Sequence, residues 1–205
     1  LLNPNSLFID QNNSIVISQD HSFIKYTQNS DNKYVFGSTK GRLGSTSDSF
    51  RNPGAIQGYG NYYYVLDRWN HRIKILDQNG NTKNLEPSID GFGSLDYQFQ
   101  YPTDMDIDSE GNIYITDSKN KYVKKLSPVD KYFSQYSFNK KWNGSTNEGV
   151  LFSNNIISLA VDPLDKIWVL DRKNMTIQKF SPNGDNEGLW DIKKLNVKPL
   201  KIEAD

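Results

Sequence analysis

The chain contains no cysteine. That excludes disulfides, thiolate metal ligands and a cysteine nucleophile, and it suits either a cytosolic protein or an exported one that does without disulfides. Histidine is almost as scarce, with only His21 and His71 in 205 residues. A zinc centre or a hydrolytic triad needs several convergent histidines or carboxylates, and the sequence has no Gly-x-Ser-x-Gly elbow to present a serine nucleophile. Net charge is also lacking, because 24 lysines and arginines balance 24 aspartates and glutamates. No global field therefore draws the chain to nucleic acid or to an anionic membrane. No run approaches the ~18 apolar residues of a membrane span. The first residues lack the basic-then-apolar pattern of a signal peptide, although Leu1 falls at a repeat boundary and leaves room for a targeting segment upstream. Helical periodicity is sustained nowhere.

What the chain has is a repeat. An aliphatic-rich strand ends in aspartate at Asp20, Asp67, Asp117 and Asp171, at intervals of 47, 50 and 54 residues, and a second strand carrying a basic residue follows each time. Phe50 with Pro53 matches Phe99 with Pro102, Leu1 with Pro4 and, more loosely, Phe152 with Asn155. Within the third unit, Met105 to Asp108 forms a strand, Ser109-Glu110-Gly111-Asn112 a hairpin turn, Ile113 to Thr116 a second strand and Tyr122 to Leu126 a third. A fourth, less regular strand is expected around Tyr132 to Phe138. Repeated sets of four antiparallel strands are propeller blades, so the fold class is all-β. With 36% hydrophobic and 13% aromatic residues the chain can bury a core. It forms one segment, 1–205, with blades at approximately 1–49, 50–98, 99–150 and 151–205. Val65, Ile115 and Val169, each two residues before a repeat aspartate, are expected in equivalent buried positions.

The stretch Asp67-Arg68-Trp69-Asn70-His71-Arg72-Ile73-Lys74-Ile75-Leu76, after Phe50-x-x-Pro53 and before Asn79-Gly80, resembles the NHL repeat. Arg72 stands where the family's namesake motif has leucine, and Asn120-Lys121-Tyr122 and Asn174-Met175-Thr176 keep parts of the same pattern. The resemblance covers essentially the whole chain. It implies a ring usually of six blades, or roughly 270 to 300 residues at ~45 to 50 per blade, so the four units here are expected to form an incomplete propeller, completed by further blades or by another chain. The tail from Leu189 is expected to supply the outer strand of blade four and then the start of another blade or a linker.

The resemblance also implies that the face carrying the repeat turns binds partners, protein in many members and single-stranded RNA in some. Arg68, Trp69, His71 and Arg72 in one turn, Lys119 and Lys121 in the next, and Arg172 and Lys173 in the third would line that face. Trp69 stands out, because an exposed tryptophan is costly unless it packs or binds. The Asp-x-x-Asn spacing lets each aspartate accept N–H groups of its own turn, a scaffold role. Asp104 and Asp106 share one face of an innermost strand and are the candidate metal ligands, with calcium the suitable cation; Asp108 matches Asp10 and Asp162 and is expected to serve the hairpin turn. The expectation is a non-catalytic binding or assembly module with no cofactor, set against a calcium-dependent lactonase-like hydrolase of six blades and an RNA-binding module. Charge neutrality argues against nucleic acid. Sequons at Asn12, Asn143 and Asn174 lean toward an extracellular or surface protein over a cytoplasmic one.

Overall fold

The computed structural model describes residues 4–27, 49–83, 88–133, 135–145 and 149–204, and the backbone of 33–37. Alternating apolar residues interrupted by Gly, Asn, Asp and Pro give the chain four antiparallel four-stranded sheets in sequence order. Blade one holds β1 (Pro4–Ile9), β2 (Ile15–Gln19), β3 (Ser22–Tyr26) and β4 (Lys33–Gly37). Blade two holds β5 (Pro53–Tyr59), β6 (Tyr62–Asp67), β7 (Arg72–Asp77) and the two-residue β8 (Thr82–Lys83). Blade three holds β9 (Pro102–Ile107), β10 (Ile113–Asp117), β11 (Tyr122–Pro128) and β12 (Tyr136–Trp142). A small hairpin, β13 (Gly144–Ser145) with β14 (Val150–Leu151), leads to blade four: β15 (Ile156–Val161), β16 (Ile167–Asp171), β17 (Thr176–Phe180) and β18 (Asn186–Asp191).

Apolar side chains on both faces of each sheet must be covered, and the blades cover one another. The cores accordingly lie at the seams. Val16, Phe23, Phe50, Ile56, Tyr63, Val65 and Leu76 fill the seam between blades one and two. Tyr64, Ile75, Phe99, Met105, Ile115 and Leu126 fill the next, and Tyr114, Val123, Trp142, Ile156, Val169 and Phe180 the third. Val65, Ile115 and Val169 are completely buried, as their shared offset predicts.

Two details depart from the sequence reading. The fourth strand of blade three starts at Tyr136, because Pro128 closes β11 and a turn follows in which Asp130 accepts the Tyr132 N–H and Phe133 adopts a positive φ of 52°. Ladder pairing puts Ile156 opposite Asp171, as Pro53 and Pro102 lie opposite Asp67 and Asp117, so Ile156 rather than Asn155 takes the proline position of blade four. The turn in blade one is shorter than in the other blades: Gln19 pairs directly with Ser22 around Asp20 and His21.

The innermost strands stand side by side and touch through side chains. Thr103 donates its hydroxyl to the Ile156 carbonyl at 2.8 Å, and from the second strand of blade one Ser18 donates to that of Gly54 on β5 at 2.7 Å. Beyond β18 the chain turns back, and Ile202 N–H reaches Ser158 Oγ at 3.2 Å. Leu159 N–H makes the corresponding bond to Asp104, at 3.1 Å, one blade earlier. Ser158 occupies in blade four the place of Asp104 in blade three, so the tail runs where the innermost strand of a following blade would lie. Pro199 to Ala204 then corresponds to Pro102 to Ile107, with Ile202 in the place of Met105.

Candidate functional site

The turns between the second and third strands of blades two to four share one end of the molecule. Each is built around a fully buried aspartate. Asp67 accepts the Arg51 N–H at 2.7 Å, the Asn70 amide at 2.8 Å and Arg72 Nε at 2.8 Å. Asp117 accepts the Gln100 N–H at 2.7 Å, the Asn120 amide at 2.8 Å and Lys124 Nζ at 3.0 Å. Asp171 takes the Ser153 N–H and hydroxyl and the Lys173 and Asn174 N–H groups. Own-turn backbone N–H groups reach the carboxylate in blade four, at Lys173 and Asn174. In all three blades the carboxylate ties the turn to the loop that precedes the innermost strand, through the Arg51, Gln100 and Ser153 N–H groups, which gives those backbone donors a partner. Burial lowers the Lys124 pKa, and Asp117 beside it opposes the shift.

These internal bonds sort the eight cationic and aromatic candidates. Trp69, Lys119, Lys121 and Lys173 are exposed, while Arg68, His71, Arg72 and Arg172 are partly buried. Arg72 is held between Asp67 and the Ser49 carbonyl. Arg68 lays its side chain against the Cα of Gly54, and burial lowers its pKa while the charge of Asp104 opposes the shift. Trp69 is 46% exposed, and the Arg51 guanidinium lies 5.6 Å from the centre of its ring. His71 accepts the Tyr101 N–H on Nδ1 at 3.3 Å, just as His21 accepts that of Asn52 at 3.3 Å. The histidine of one blade therefore caps the chain of the next. Burial keeps the His71 pKa below its ordinary value, while Asp117 pulls it back and Arg51 adds to the depression.

The sequence reading overlooked the aromatic cluster around His71. Phe92 and Tyr101 approach its ring edge-to-face at 5.0 and 5.2 Å and each other at 6.3 Å. Both rings remain more than half exposed, at 59% and 52%. A signal was present in the Gly91-Phe92-Gly93 sequence, an aromatic in a loop between two glycines.

Asp104 and Asp106 border a cavity of about 380 Å³ between the innermost strands, with Ser6, Gln57, Ala160 and Lys201 also lining it. Asp104 accepts the Ser158 hydroxyl at 2.7 Å and the Leu159 N–H at 3.1 Å, and Asp106 accepts the Val161 N–H at 2.8 Å. Burial raises both carboxyls, Asp106 to about 6, against these hydrogen bonds. Their oxygens bridge blades three and four, and no group of three or more metal-ligating side chains occurs among the described residues. Asp108 serves its hairpin turn as expected, accepting the Glu110 and Asn112 N–H groups and the Tyr114 hydroxyl. Of the sequons, Asn12 is exposed on the β1–β2 turn, whereas Asn174 donates its amide to the Leu151 carbonyl. No helix among the described residues is long and apolar enough to cross a membrane.

Successive four-stranded sheets packed face to face around one channel define a β-propeller. The family model of the NHL repeat matches residues 99–126 and 154–180, the first three strands of blades three and four. NHL repeat-containing protein 3 of Mus musculus is 26% identical over 136 residues, which is 65% of this chain and 36% of that protein. A streptogramin B lyase structure matches with a TM-score of 0.71 at 12% identity over 98% of this chain and 59% of its own. Catalytically inactive H270A virginiamycin B lyase from Staphylococcus aureus, solved with quinupristin, matches at 0.68 and 11% identity, over 98% and 59%. A 6-phosphogluconolactonase candidate from Bacteroides fragilis matches at 0.59 and 14% identity, over 97% and 56%. The likeness to these structures is one of fold. The chain spans about a third of the curated relative and less than two thirds of each of these solved ones.

Proposed function

We propose that the chain is a non-catalytic binding module that offers the turn face of its blades to a protein partner, as part of a larger assembly. One observation carries this reading: in blades two, three and four the turn aspartate is buried and bonded internally, while the residue two positions later, Trp69, Lys119 or Lys173, is exposed. Each turn hides its negative charge and displays a cation or an aromatic ring, and such groups are enriched where interfaces concentrate their binding energy. The balanced overall charge favours a protein over nucleic acid. A photo-crosslinking amino acid at position 69, 119 or 173 is expected to capture a discrete partner from the native source, and the same group at Asn139, exposed on outer strand β12, is not. Equal labelling from both places would defeat the reading. So would calcium-dependent turnover of a lactone that disappears in Asp104→Asn or Asp106→Asn.

A further inference from the structure

At the blade tops, the cluster between blades two and three leaves large rings out of the seam rather than buried in it. Tyr101 stands immediately before Pro102 with φ of +50°, in the left-handed region. Asn52 holds the same place before Pro53 at +52°. Asparagine tolerates that conformation, whereas a bulky ring there is strained, and such strain persists where surrounding structure enforces it and tends to collect at functional sites. Enforcement comes from the Tyr101 N–H bond to His71 and from the proline that follows. The outcome is a tyrosine ring held out beside Phe92 rather than folded into the seam. Leu95, 68% exposed, lies on the same loop.

Cations flank it. Arg51 and Lys119 are both exposed, and the Lys119 N–H bond to the Gln100 carbonyl fixes that turn against the residue preceding Tyr101. Asp67 and Asp117 beneath the surface are fully buried, and among the described residues of the same loop Asp90 and Asp96 are exposed, Asp96 lying 3.7 Å from Lys141. An aromatic platform between two cations complements an apolar side chain set among carboxylates.

Resting on the binding-module reading above, we propose that His71, Phe92 and Tyr101 with Arg51 and Lys119 form a docking site for an acidic peptide segment bearing an aromatic anchor. The anchor packs on Phe92 and Tyr101, and its neighbouring carboxylates meet Arg51 and Lys119.

The probe is a fluorescein-labelled peptide of glutamate and serine with one central phenylalanine, titrated with the chain and followed by anisotropy. Saturable binding is expected, weakened about tenfold or more by Phe92→Ala or by exchanging the probe's phenylalanine for alanine, and falling with salt as paired exposed charges are screened. Tyr101→Asn installs the residue that blade two carries at this turn, so it is expected to keep the thermal midpoint while losing the probe; Lys119→Glu likewise weakens binding. Absence of saturation at millimolar protein, equal affinity for a lysine-substituted probe, or tighter binding of a uridine oligonucleotide would each overturn the proposal. Crosslinking of a partner from position 69 while the probe ignores the cluster refutes this site and leaves the wider reading standing. Failure of both experiments removes both.

Discussion

Asp106 links the charge of the channel to the stability of the fold. Its carboxyl is raised from an ordinary 3.8 to about 6, chiefly by burial. Between those values the folded state holds more protons than the unfolded one, so the stabilisation is fully present below the lower value and is lost as pH rises through the upper. At 1.36 kcal/mol per pKa unit, the loss is about 2–3 kcal/mol. Asp106→Asn keeps an oxygen for the Val161 N–H but cannot ionise, so its stability relative to the parent should increase from pH 4.5 to pH 7.5 in urea denaturation. The difference between the two proteins is the diagnostic quantity, because Asp10, Asp77 and Asp162 are lowered and act with the opposite sign. A constant difference across that interval would show that Asp106 titrates normally. Asp117 supports a second expectation. Lys124 is fully buried and also donates to the Leu95 and Gln98 carbonyls, so Asp117→Ala strands a buried ammonium and should cost about 3–5 kcal/mol. Adding Lys124→Met should recover much of that in the same measurement; no recovery would mean that the loss comes from the turn rather than the charge.

Blades adhere through positions where the repeat is broken as well as where it is kept. Ile15, Ile113 and Ile167 occupy one position of the second strand, and blade two places Tyr63 there, fully buried. Its hydroxyl donates to Asp10 Oδ2 at 2.6 Å and accepts from Lys25 Nζ at 2.7 Å, while Lys25 also pairs with Asp10 at 3.0 Å. An isolated buried cation is thereby paired across the seam of blades one and two. Tyr63→Phe keeps the ring and removes the hub, and should cost about 1–3 kcal/mol. Hydrogen exchange should localise that loss to blades one and two, and uniform loosening over all four sheets would count against seam-by-seam stability. Gly58 belongs to the same seam, since a Cβ there would lie 2.3 Å from the Phe8 ring.

At the scale of the molecule the sheets form an arc with unequal ends. Blade one leaves Leu7 and Ile9 exposed, at 57% and 58%, on the side away from blade two. At the other end Trp190 stacks with Trp168 at 5.2 Å, and the tail from Pro199 reaches the innermost strand. Apolar area left in water costs about 25 cal/mol per Å², so we expect blade one's outer face to be covered by further blades or a neighbouring chain. Light scattering on the 205-residue chain should show concentration-dependent association, and charged substitutions at Leu7 and Ile9 should reduce it. A stable monomer unaffected by those substitutions would rule out the exposed face as the driver.

The repeat, the blade as four antiparallel strands and the buried Val65, Ile115 and Val169 were settled by the sequence, because alternation and turn chemistry are local and recur at fixed offsets. Asp108 as a hairpin residue was legible for the same reason. Contacts between blades were not, because they join residues about fifty positions apart whose partners no single repeat reveals. Tertiary structure alone decided that Asp104 and Asp106 bridge to blade four, that Arg68 and Arg72 are engaged internally while Trp69, Lys119 and Lys173 stand out, and that Phe92 and Tyr101 meet over His71. Each outcome depends on which polar groups burial leaves in need of a partner, and burial is fixed only once neighbouring blades have packed.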